Sequence, residues 1–268
     1  MPHRTARTIG KRVVPSLTAA SGSWALGEVT AARQDEIWPL ALANPIPDLS
    51  PTAYYDCTDA TTMYDAITGG SNVTTGNLVA RLEDISGNGY HLTQATAASQ
   101  PTLTAAVLNG YAGLTFAAGD IMANSGTIVG GATNRTIIAV CSGSTSSSNR
   151  VFYLGTSSAT AGAQFAVTGE IAVRVASGNR VFTTSLSSTH AVLSVALDGT
   201  DCTGISAWLN GSALSESSTS NQTLNTASGA SIGDSLGGDI LELAVFDSAL
   251  ATADREAVET YLQAKYGI

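Results

Sequence analysis

Asp239 and Glu242 are the closest match in this 268-residue sequence to a pair of catalytic carboxylates. Retaining glycoside hydrolysis needs two carboxyl groups about 5–5.5 Å apart, with pKa values that their surroundings hold apart. In a regular strand, an odd separation sends two side chains to opposite faces of the sheet. We therefore expect these carboxylates not to converge, and the sequence predicts that the chain is not an enzyme.

A second motif, Gly229–Gly233, matches the G-x-S-x-G pattern of a nucleophile elbow. That chemistry needs the serine on a sharp turn between a strand and a helix, with a histidine and an acid nearby. Here Ser231 lies between two strand-like runs, and the sequence holds only three histidines, which are His3, His91 and His190. We expect Ser231 to be an ordinary strand residue.

Oxygen-rich turns at Asp198–Asp201 and at Asp84 with Asn88 could supply ligands for calcium. The same residue types cap turns by accepting backbone N–H groups, and we favour that interpretation. The three cysteines are widely spaced, without a CxxC or Cys/His cluster, so neither a disulfide framework nor a zinc site is indicated. Buried free thiols are expected at Cys57, Cys141 and Cys202. The sequence predicts no metal and no cofactor.

The charge of the chain is low and unevenly distributed. The formal net charge is −9, and only 12% of residues are charged. An acidic chain of this kind is unsuited to general nucleic-acid binding, which needs many cations to displace counterions. No apolar run approaches the ~18 residues that span a bilayer, so no membrane insertion is predicted. Five of the twelve cations lie in the first 33 residues, namely Arg4, Arg7, Lys11, Arg12 and Arg33.

The first fifty residues have the composition of an arm and a linker. Ser21 or Ser23 can cap a short helix that Pro39 ends, and Trp24 and Trp38 bracket this segment. The cations ahead of it are followed by no sufficiently long apolar region, so no cleaved signal peptide is expected. Residues 39–51 hold four of the seven prolines and are predicted to form an extended linker. We place the domain boundary near Ser50, which gives an arm over 1–50 and a main domain over 51–268.

Short β-branched and aromatic runs separated by turn residues follow the linker. Asn210-Gly211, between two strand-like runs, is a strong hairpin signal, and Ser177-Gly178-Asn179 predicts another hairpin. Strands at this spacing without helices between them favour an antiparallel sandwich. The predicted strands are 78–84, 135–141, 151–154, 163–168, 170–175, 205–209 and 212–214.

One helix is predicted at the C-terminus. Thr252 is expected to cap it, and Gly267 to end it. Asp254 in the first turn and Lys265 in the last turn complement the helix dipole. One apolar stripe must cover part of the sandwich, and it consists of Val258, Tyr261, Leu262 and Tyr266.

Two stretches carry a resemblance to a known family. Leu78–Gln94, containing Asp84-Ile85-Ser86-Gly87-Asn88-Gly89, and then Gln100–Leu103 resemble a concanavalin A-like (laminin G-like) jelly-roll domain of the lectins and glucanases. Gly238–Phe246 and Leu250–Ile268 are similar to the last strand and closing helix of that family. The resemblance implies an all-β, two-sheet antiparallel jelly roll. Leu82 stands where the family often has tryptophan, so an aromatic platform is not expected there.

Gly22–Pro39 resembles a segment common in bacteriophage virion proteins, ahead of such domains. This resemblance implies a head-decoration or tail-associated protein, located in the virion and assembled in the host cytoplasm. It implies other virion proteins as partners of the arm, and it leaves a homo-oligomer open. The expected anchoring residues are Arg4, Arg7, Lys11, Arg12, Trp24 and Trp38.

The resemblance also implies a lectin-like surface for reversible binding of host glycans. Glycan binding uses aromatic faces with hydroxyl and amide groups. The candidate glycan contacts are Tyr54, Tyr90 and Tyr111. Two alternatives stay open at this point, a glucanase-type glycoside hydrolase and a secreted bacterial adhesin module.

Overall fold

Short extended segments build two antiparallel sheets in this computed structural model, which describes residues 43–145, 148–155 and 160–268. Asn44–Ile268 forms one compact unit. The strands are β1 (Ala53–Asp56), β2 (Met63–Tyr64), β3 (Arg81–Leu82), β4 (Leu92–Thr93), β5 (Thr102–Leu108), β6 (Tyr111–Phe116), β7 (Met122–Asn124), β8 (Arg135–Cys141), β9 (Arg150–Gly155), β10 (Gln164–Thr168), β11 (Ala172–Val175), β12 (Gly178–Phe182), β13 (Ala191–Leu197), β14 (Ile205–Leu209), β15 (Ser212–Ala213), β16 (Glu216–Ser220), β17 (Ala230–Ile232) and β18 (Gly238–Phe246). Helix α1 spans Thr252–Tyr266.

The two sheets together form a sandwich. Within the described residues, the eight-stranded sheet has the order β15-β14-β13-β8-β18-β6-β5, with β1 also paired to β18. The ten-stranded sheet has the order β16-β12-β11-β10-β9-β17-β7-β4-β3-β2. Every strand pair is antiparallel, so the predicted all-β, two-sheet sandwich is confirmed.

The core lies between the sheets, where alternate residues of each strand meet. Phe152 and Phe165 from the ten-stranded sheet and Leu193 and Leu243 from the eight-stranded sheet belong to one buried cluster. Burial of each such side chain stabilises the fold by about 1.5–3 kcal/mol. The two-residue alternation of the strands thus directs their remaining side chains to the outer faces.

Helix α1 covers the outer face of the eight-stranded sheet. Val258, Leu262 and Tyr266 pack in a second buried cluster with Val140 and Phe246. Gly267 ends the helix in a left-handed conformation (φ 68°), as predicted. The predicted apolar stripe is thereby confirmed, and its docking closes one outer face of the sandwich.

The predicted hairpin at Asn210-Gly211 is also confirmed. Both residues have positive φ, 49° and 78°, as a two-residue type I′ turn requires. The other predicted hairpin is displaced by one to two residues, because Val175 pairs with Gly178 and the turn is formed by Ala176 and Ser177.

Four further local predictions differ from the structure. The strand predicted over 170–175 begins only at Ala172, and Ile171 ahead of it has a positive φ of 48°. Thr252 is the first helical residue and not the cap, since Ala251 holds that position without a side-chain hydrogen bond. The strand predicted over 78–84 is confined to Arg81–Leu82. Within the predicted linker, Pro47–Leu49 form a 3-10 helix and Ile46 is fully buried against the α1 cluster. The end of the proline-rich stretch is thus folded, because Ile46 gains from burial. The part of the arm over residues 1–42 lies outside the described residues.

The cysteines of the described part agree with the prediction. Its three cysteines are free and buried, as predicted. No helix in that part has both the length and the apolar character that crossing a bilayer takes.

Candidate functional site

Asp84 organises the turn that follows β3. Its Oδ1 accepts hydrogen bonds from the backbone N–H groups of Tyr54 and Ser86, each at 2.9 Å, and its Oδ2 accepts from Tyr90 N–H at 3.0 Å. Hydrogen bonds to a charged group stabilise by about 1.5–3 kcal/mol each. The turn-capping interpretation of Asp84 is therefore confirmed, and this carboxylate fixes Tyr90 relative to β1.

A cavity of about 590 Å³ opens beside this turn, and we name it the tyrosine cavity. Its lining combines aromatic and aliphatic surface with hydroxyl groups, an amide and one carboxylate. The lining residues are Pro47, Ser50, Pro51, Thr52, Tyr54, Ile85, Ser86, Asn88, Tyr90 and Asp247. A few polar groups set in apolar surface are typical of small-molecule sites.

The two tyrosines of this cavity differ in what they present. Tyr54 is only 4% exposed, and its hydroxyl is engaged by Glu242 and by Asn44 Nδ2 at 3.0 Å. Tyr90 is partly exposed, and its carbonyl accepts a hydrogen bond from Tyr55 Oη at 2.6 Å. The Tyr90 hydroxyl has no hydrogen-bond partner among the described residues. Tyr90 is thus the tyrosine available to a ligand.

A second cavity, of about 540 Å³, uses the same segment, and we name it the arginine cavity. Residues of Ile85–His91 line both cavities, so this segment is shared between them. The lining of the arginine cavity contains no carboxylate. It consists of Ile67, Arg81, Gly89, His91, Thr93, Ala123, Asn124 and Ser125.

Neighbouring residues of the ten-stranded sheet position Arg81 in the wall of this cavity. It pairs across the strands with Tyr64 on one side and Thr93 on the other. Its guanidinium carbon lies 4.0 Å from the centre of the Tyr64 ring, and its Nη2 lies 3.4 Å from Glu83 Oε1. Arg81 Nε is buried without a hydrogen-bond partner. The guanidinium is therefore restrained by its neighbours, while not all of its N–H groups have a hydrogen-bond acceptor among the described residues.

The tautomer of His91 follows from one hydrogen bond. Its Nδ1 accepts from the backbone N–H of Asp84 at 3.0 Å. A neutral imidazole carries one proton, so that proton is on Nε2. His91 Nε2 has no hydrogen-bond partner in the described part of the chain and remains a donor.

A third cavity, of about 370 Å³, lies by β10–β12, away from this segment. Arg174 contributes to it and pairs with Glu170 at 3.0 Å. Its lining residues are Gln164, Arg174, Val175, Ser177, Gly178, Asn179 and Ser220. None of the three cavities is lined by two carboxylates.

The predicted placement of Asp239 and Glu242 on opposite faces is wrong. Ile240 pairs with Cys141 and Glu242 pairs with Val140, so Leu241 is the extra residue of a β-bulge. A bulge shifts the alternation by one residue, and both carboxylates therefore lie on the outer face of the eight-stranded sheet. They nevertheless have separate sets of partners.

Glu242 is almost fully buried beneath α1, at 1% exposure. Its carboxylate accepts hydrogen bonds from Lys265 Nζ at 2.6 Å and Tyr266 Oη at 2.7 Å, as well as from Tyr54 Oη. Burial, and then the Glu242 charge, raise the pKa values of Tyr54 and Tyr266 well above the usual range. This network joins the helix to the sheet and opens onto no described cavity except at the edge of Tyr54.

Asp239 lies at the centre of a smaller polar cluster. It accepts from Thr115 Oγ1 at 2.6 Å and Ser142 Oγ at 3.3 Å, and His190 Nε2 lies 3.1 Å from its Oδ2. Ser142 contacts the acid and not the histidine, so the order of a catalytic triad is not met. Ser231 lies within β17, as the sequence predicted. Groups of three or more metal-ligating side chains are absent from the described residues.

The other predicted site residues lie elsewhere. Tyr111 packs edge-on against Tyr266, with ring centres 4.9 Å apart, and lines none of the three cavities. The predicted anchoring residues Arg4, Arg7, Lys11, Arg12, Trp24 and Trp38 are outside the described residues. Sequence reasoning missed Arg81, His91 and Asp247, although alternation along β3 and β4 could have placed Arg81 and Thr93 on one face.

Comparisons with known proteins identify the class of fold. No protein-family model and no curated protein matches the chain. Among solved structures, a GH54 α-L-arabinofuranosidase variant soaked with 4-nitrophenyl α-L-arabinofuranoside matches 84% of the chain at 15% identity, with a TM-score of 0.56. An arabinofuranosidase complexed with arabinofuranosyl-α-1,2-xylobiose matches 85% of the chain at 14% identity, also with a TM-score of 0.56. The chain spans 66% and 65% of the lengths of these two structures.

These matches correct one prediction. The expectation that the chain is not an enzyme is contradicted, because the similar β-sandwiches belong to glycoside hydrolases. At 14–15% identity the likeness shows the fold and transfers no residue roles. The likeness therefore shows that the fold is a β-sandwich like those of these two structures.

Proposed function

We propose that this chain binds carbohydrate and that the tyrosine cavity is the binding site. The observation that carries the proposal is the partly exposed Tyr90, whose hydroxyl has no partner among the described residues, in a cavity also lined by Ser50, Asn88 and Asp247. An aromatic ring can pack against the apolar face of a sugar, while amide and carboxylate groups bond its hydroxyls. Tyr90 and Tyr54 are also two of the three glycan contacts that the sequence predicts.

The cavity supports this proposal because its wall is fixed before a ligand arrives. Asp84 holds the N–H of Tyr90, and Tyr55 holds its carbonyl. Asn88 Nδ2 donates to the carbonyls of Pro51 and Thr52, which ties the turn to the chain ahead of β1. A rigid wall loses little conformational entropy on binding.

The test is calorimetric titration with a panel of neutral oligosaccharides, beginning with arabinofuranosyl-xylobiose and arabinan fragments. These probes are chosen because the similar structures hold arabinofuranosides. Tyr90→Ala is expected to weaken binding by at least about tenfold, through lost contact area. Tyr111→Phe is the control, since Tyr111 lines none of the three cavities described above. Equal affinity of Tyr90→Ala and the unaltered protein would overturn the assignment of the site.

Hydrolysis of the bound glycan is the second candidate function, and the likeness to arabinofuranosidase structures supports it. The tyrosine cavity supplies one of the two carboxylates that such hydrolysis needs, Asp247. This residue supplies the single carboxylate among the residues that line the tyrosine cavity. The same panel is therefore incubated with the protein and assayed for reducing ends. Loss of that activity in Asp247→Asn, with glycan binding retained, would establish hydrolysis at this cavity. Activity that survives the change would place the chemistry elsewhere.

On the sequence resemblance we also propose that residues 1–50 attach the sandwich to a phage particle. Display of many copies would raise avidity by about 10²–10⁴ over a single weak site. Purified particles are expected to contain the protein and to lose it when residues 1–40 are deleted. Its absence from intact particles would refute the attachment.

A further inference from the structure

We propose that the arginine cavity binds the carboxylate of an acidic sugar, a uronic or sialic acid unit within a glycan. The proposal rests on the proposed carbohydrate-binding function and adds the chemical class of the ligand. The chain as a whole carries a formal charge of −9, yet this cavity is lined by Arg81 and His91 and by no carboxylate. An anionic group is therefore drawn to this part of an otherwise acidic surface.

Arg81 is the residue that would bind the carboxylate. The guanidinium carbon lies 4.0 Å from the centre of the Tyr64 ring, which restrains the side chain, and that side chain is 13% exposed. One of its five N–H groups has a partner in the described part of the chain, the Glu83 oxygen at 3.4 Å. A guanidinium that is rigid and under-used is suited to a bidentate contact with a carboxylate, at about 2.7–2.9 Å per bond.

His91 supplies a second donor to the same cavity. Because its Nδ1 accepts from Asp84 N–H, the ring is oriented and its Nε2–H is available to an oxygen of the ligand. The contact with Asp84 also links this donor to the turn that holds Tyr90. A glycan that reaches both cavities would therefore meet two groups held by one residue, His91 by the backbone N–H of Asp84 and Tyr90 by its carboxylate.

Glu83 is the charged group that competes with the ligand. It follows Arg81 on the same face of the sheet, is 34% exposed, and contacts the guanidinium through one long bond. A surface ion pair of this kind contributes about 0–1 kcal/mol. A ligand carboxylate can therefore displace it, and removal of the Glu83 charge should strengthen binding.

Ile67 provides the apolar part of the site. It is 43% exposed and lines the arginine cavity, while Ile85, at 44%, lines the tyrosine cavity. Such side chains can cover the apolar face of a sugar ring. The cavity volume, about 540 Å³, is within the range of ligand sites.

The experiment compares trigalacturonic acid with its methyl ester, two probes that differ in the charged carboxylates. The unaltered protein is expected to bind the acid about 10- to 100-fold more tightly than the ester. Arg81→Gln should abolish this preference. Glu83→Gln should increase affinity for the acid and leave the ester unchanged, which is a gain that misfolding cannot produce. The pair 3′-sialyllactose and lactose is titrated in parallel to separate sialic from uronic acid.

The outcomes separate this inference from the proposed function. Equal binding of acid and ester, and of sialyllactose and lactose, overturns the inference while neutral glycan binding stands. A preference for acid that persists in Arg81→Gln, or a loss of affinity in Glu83→Gln, also overturns it. If no glycan of either panel binds, the proposed function fails and the inference fails with it.

Discussion

The Lys265 ammonium group in the last turn of α1 lies 2.6 Å from the Glu242 carboxylate of β18. Tyr266 and Tyr54 donate to the same carboxylate, and Lys265 also lies 3.3 Å from Asp56. A buried carboxylate with three donors is compensated for the water it has lost. This contact therefore makes the position of the helix dependent on one charge in the sheet.

Removal of both partners of this pair should cost less than the two single removals added together. Lys265→Met leaves the Glu242 charge buried without its cation, so we expect a loss of about 3 kcal/mol in the free energy of unfolding. The double variant Glu242→Gln/Lys265→Met should lose less than the sum of the two single variants. Urea denaturation of all four proteins measures this coupling, and simple additivity would contradict it.

Alkaline pH should destabilise the fold. Burial raises the pKa of Cys141 to about 12, and burial with the Glu242 charge raises the pKa values of Tyr54 and Tyr266. Burial lowers the pKa of Lys265, but the charges of Glu242 and Asp56 outweigh this effect, and its net shift is upward.

A group whose pKa is raised in the folded state contributes its full stabilisation at pH values below its unfolded pKa. That contribution is lost as the pH rises toward the folded pKa. The unfolded values are about 8.5 for Cys and about 10 for Tyr and Lys. The free energy of unfolding should thus fall progressively above about pH 8.5. Urea midpoints at pH 7, 9 and 10.5 measure the trend, and the slope should be shallower in Tyr266→Phe. A midpoint constant to pH 10.5 would refute the prediction.

Gly233 should not tolerate a side chain. A Cβ there would lie 2.0 Å from the Phe116 ring, and φ is +72°. Gly233→Ala is expected to cost at least about 3 kcal/mol, since overpacking adds to backbone strain. Gly69→Ala is the control, because its φ of +62° is similar and no atom lies within 4 Å of the added Cβ. Thermal unfolding of both variants compares the two effects, and equal losses would exclude the steric cause.

The three buried thiols should not react with a water-soluble disulfide reagent in the native protein. Burial raises the pKa values of Cys57 and Cys202 as well as that of Cys141, so little thiolate forms at pH 8. All three should react in 6 M guanidinium. Rapid native labelling of any one would show that its surroundings open locally.

Loss of the Asp84 carboxylate should affect stability and glycan binding together. Asp84→Ala leaves three backbone N–H groups without their acceptor, and we expect a loss of about 3 kcal/mol or more. Asp201→Ala is the comparison, since Asp201 caps Thr203 on an exposed turn and should cost less. Differential scanning calorimetry gives stability, and the glycan titration gives affinity. Unchanged affinity in a folded Asp84→Ala protein would contradict the role of Asp84 in holding Tyr90.

The sequence predicts the sheets better than the sites. Asn210-Gly211 and the apolar run of β8 have local signatures, so their structures follow from a few adjacent residues. The bulge at Leu241 has no comparable signature, because it depends on how β18 is matched to β8. This is why the placement of Asp239 and Glu242 was incorrect.

The candidate site depends on contacts that are distant along the chain. Tyr54 and Tyr90 could be proposed from residue type. Of these two hydroxyls, however, only that of Tyr54 is hydrogen-bonded to Glu242, which lies far along the chain. Arg81 and His91 share a cavity through the pairing of β3 with β4, which a single sequence does not specify. Long-range pairing therefore limits what residue patterns can establish.

The shared segment Ile85–His91 has a consequence for how ligand preference could diversify. Arg81 and Asp247 each line one cavity, so a substitution at either residue can alter one half of the proposed binding surface without changing the other half. A change within the segment alters both halves at once and disturbs the turn that Asp84 anchors. Related chains with different ligands should accordingly vary at the flanks and keep this loop, and directed evolution of new specificity should begin at the flanks.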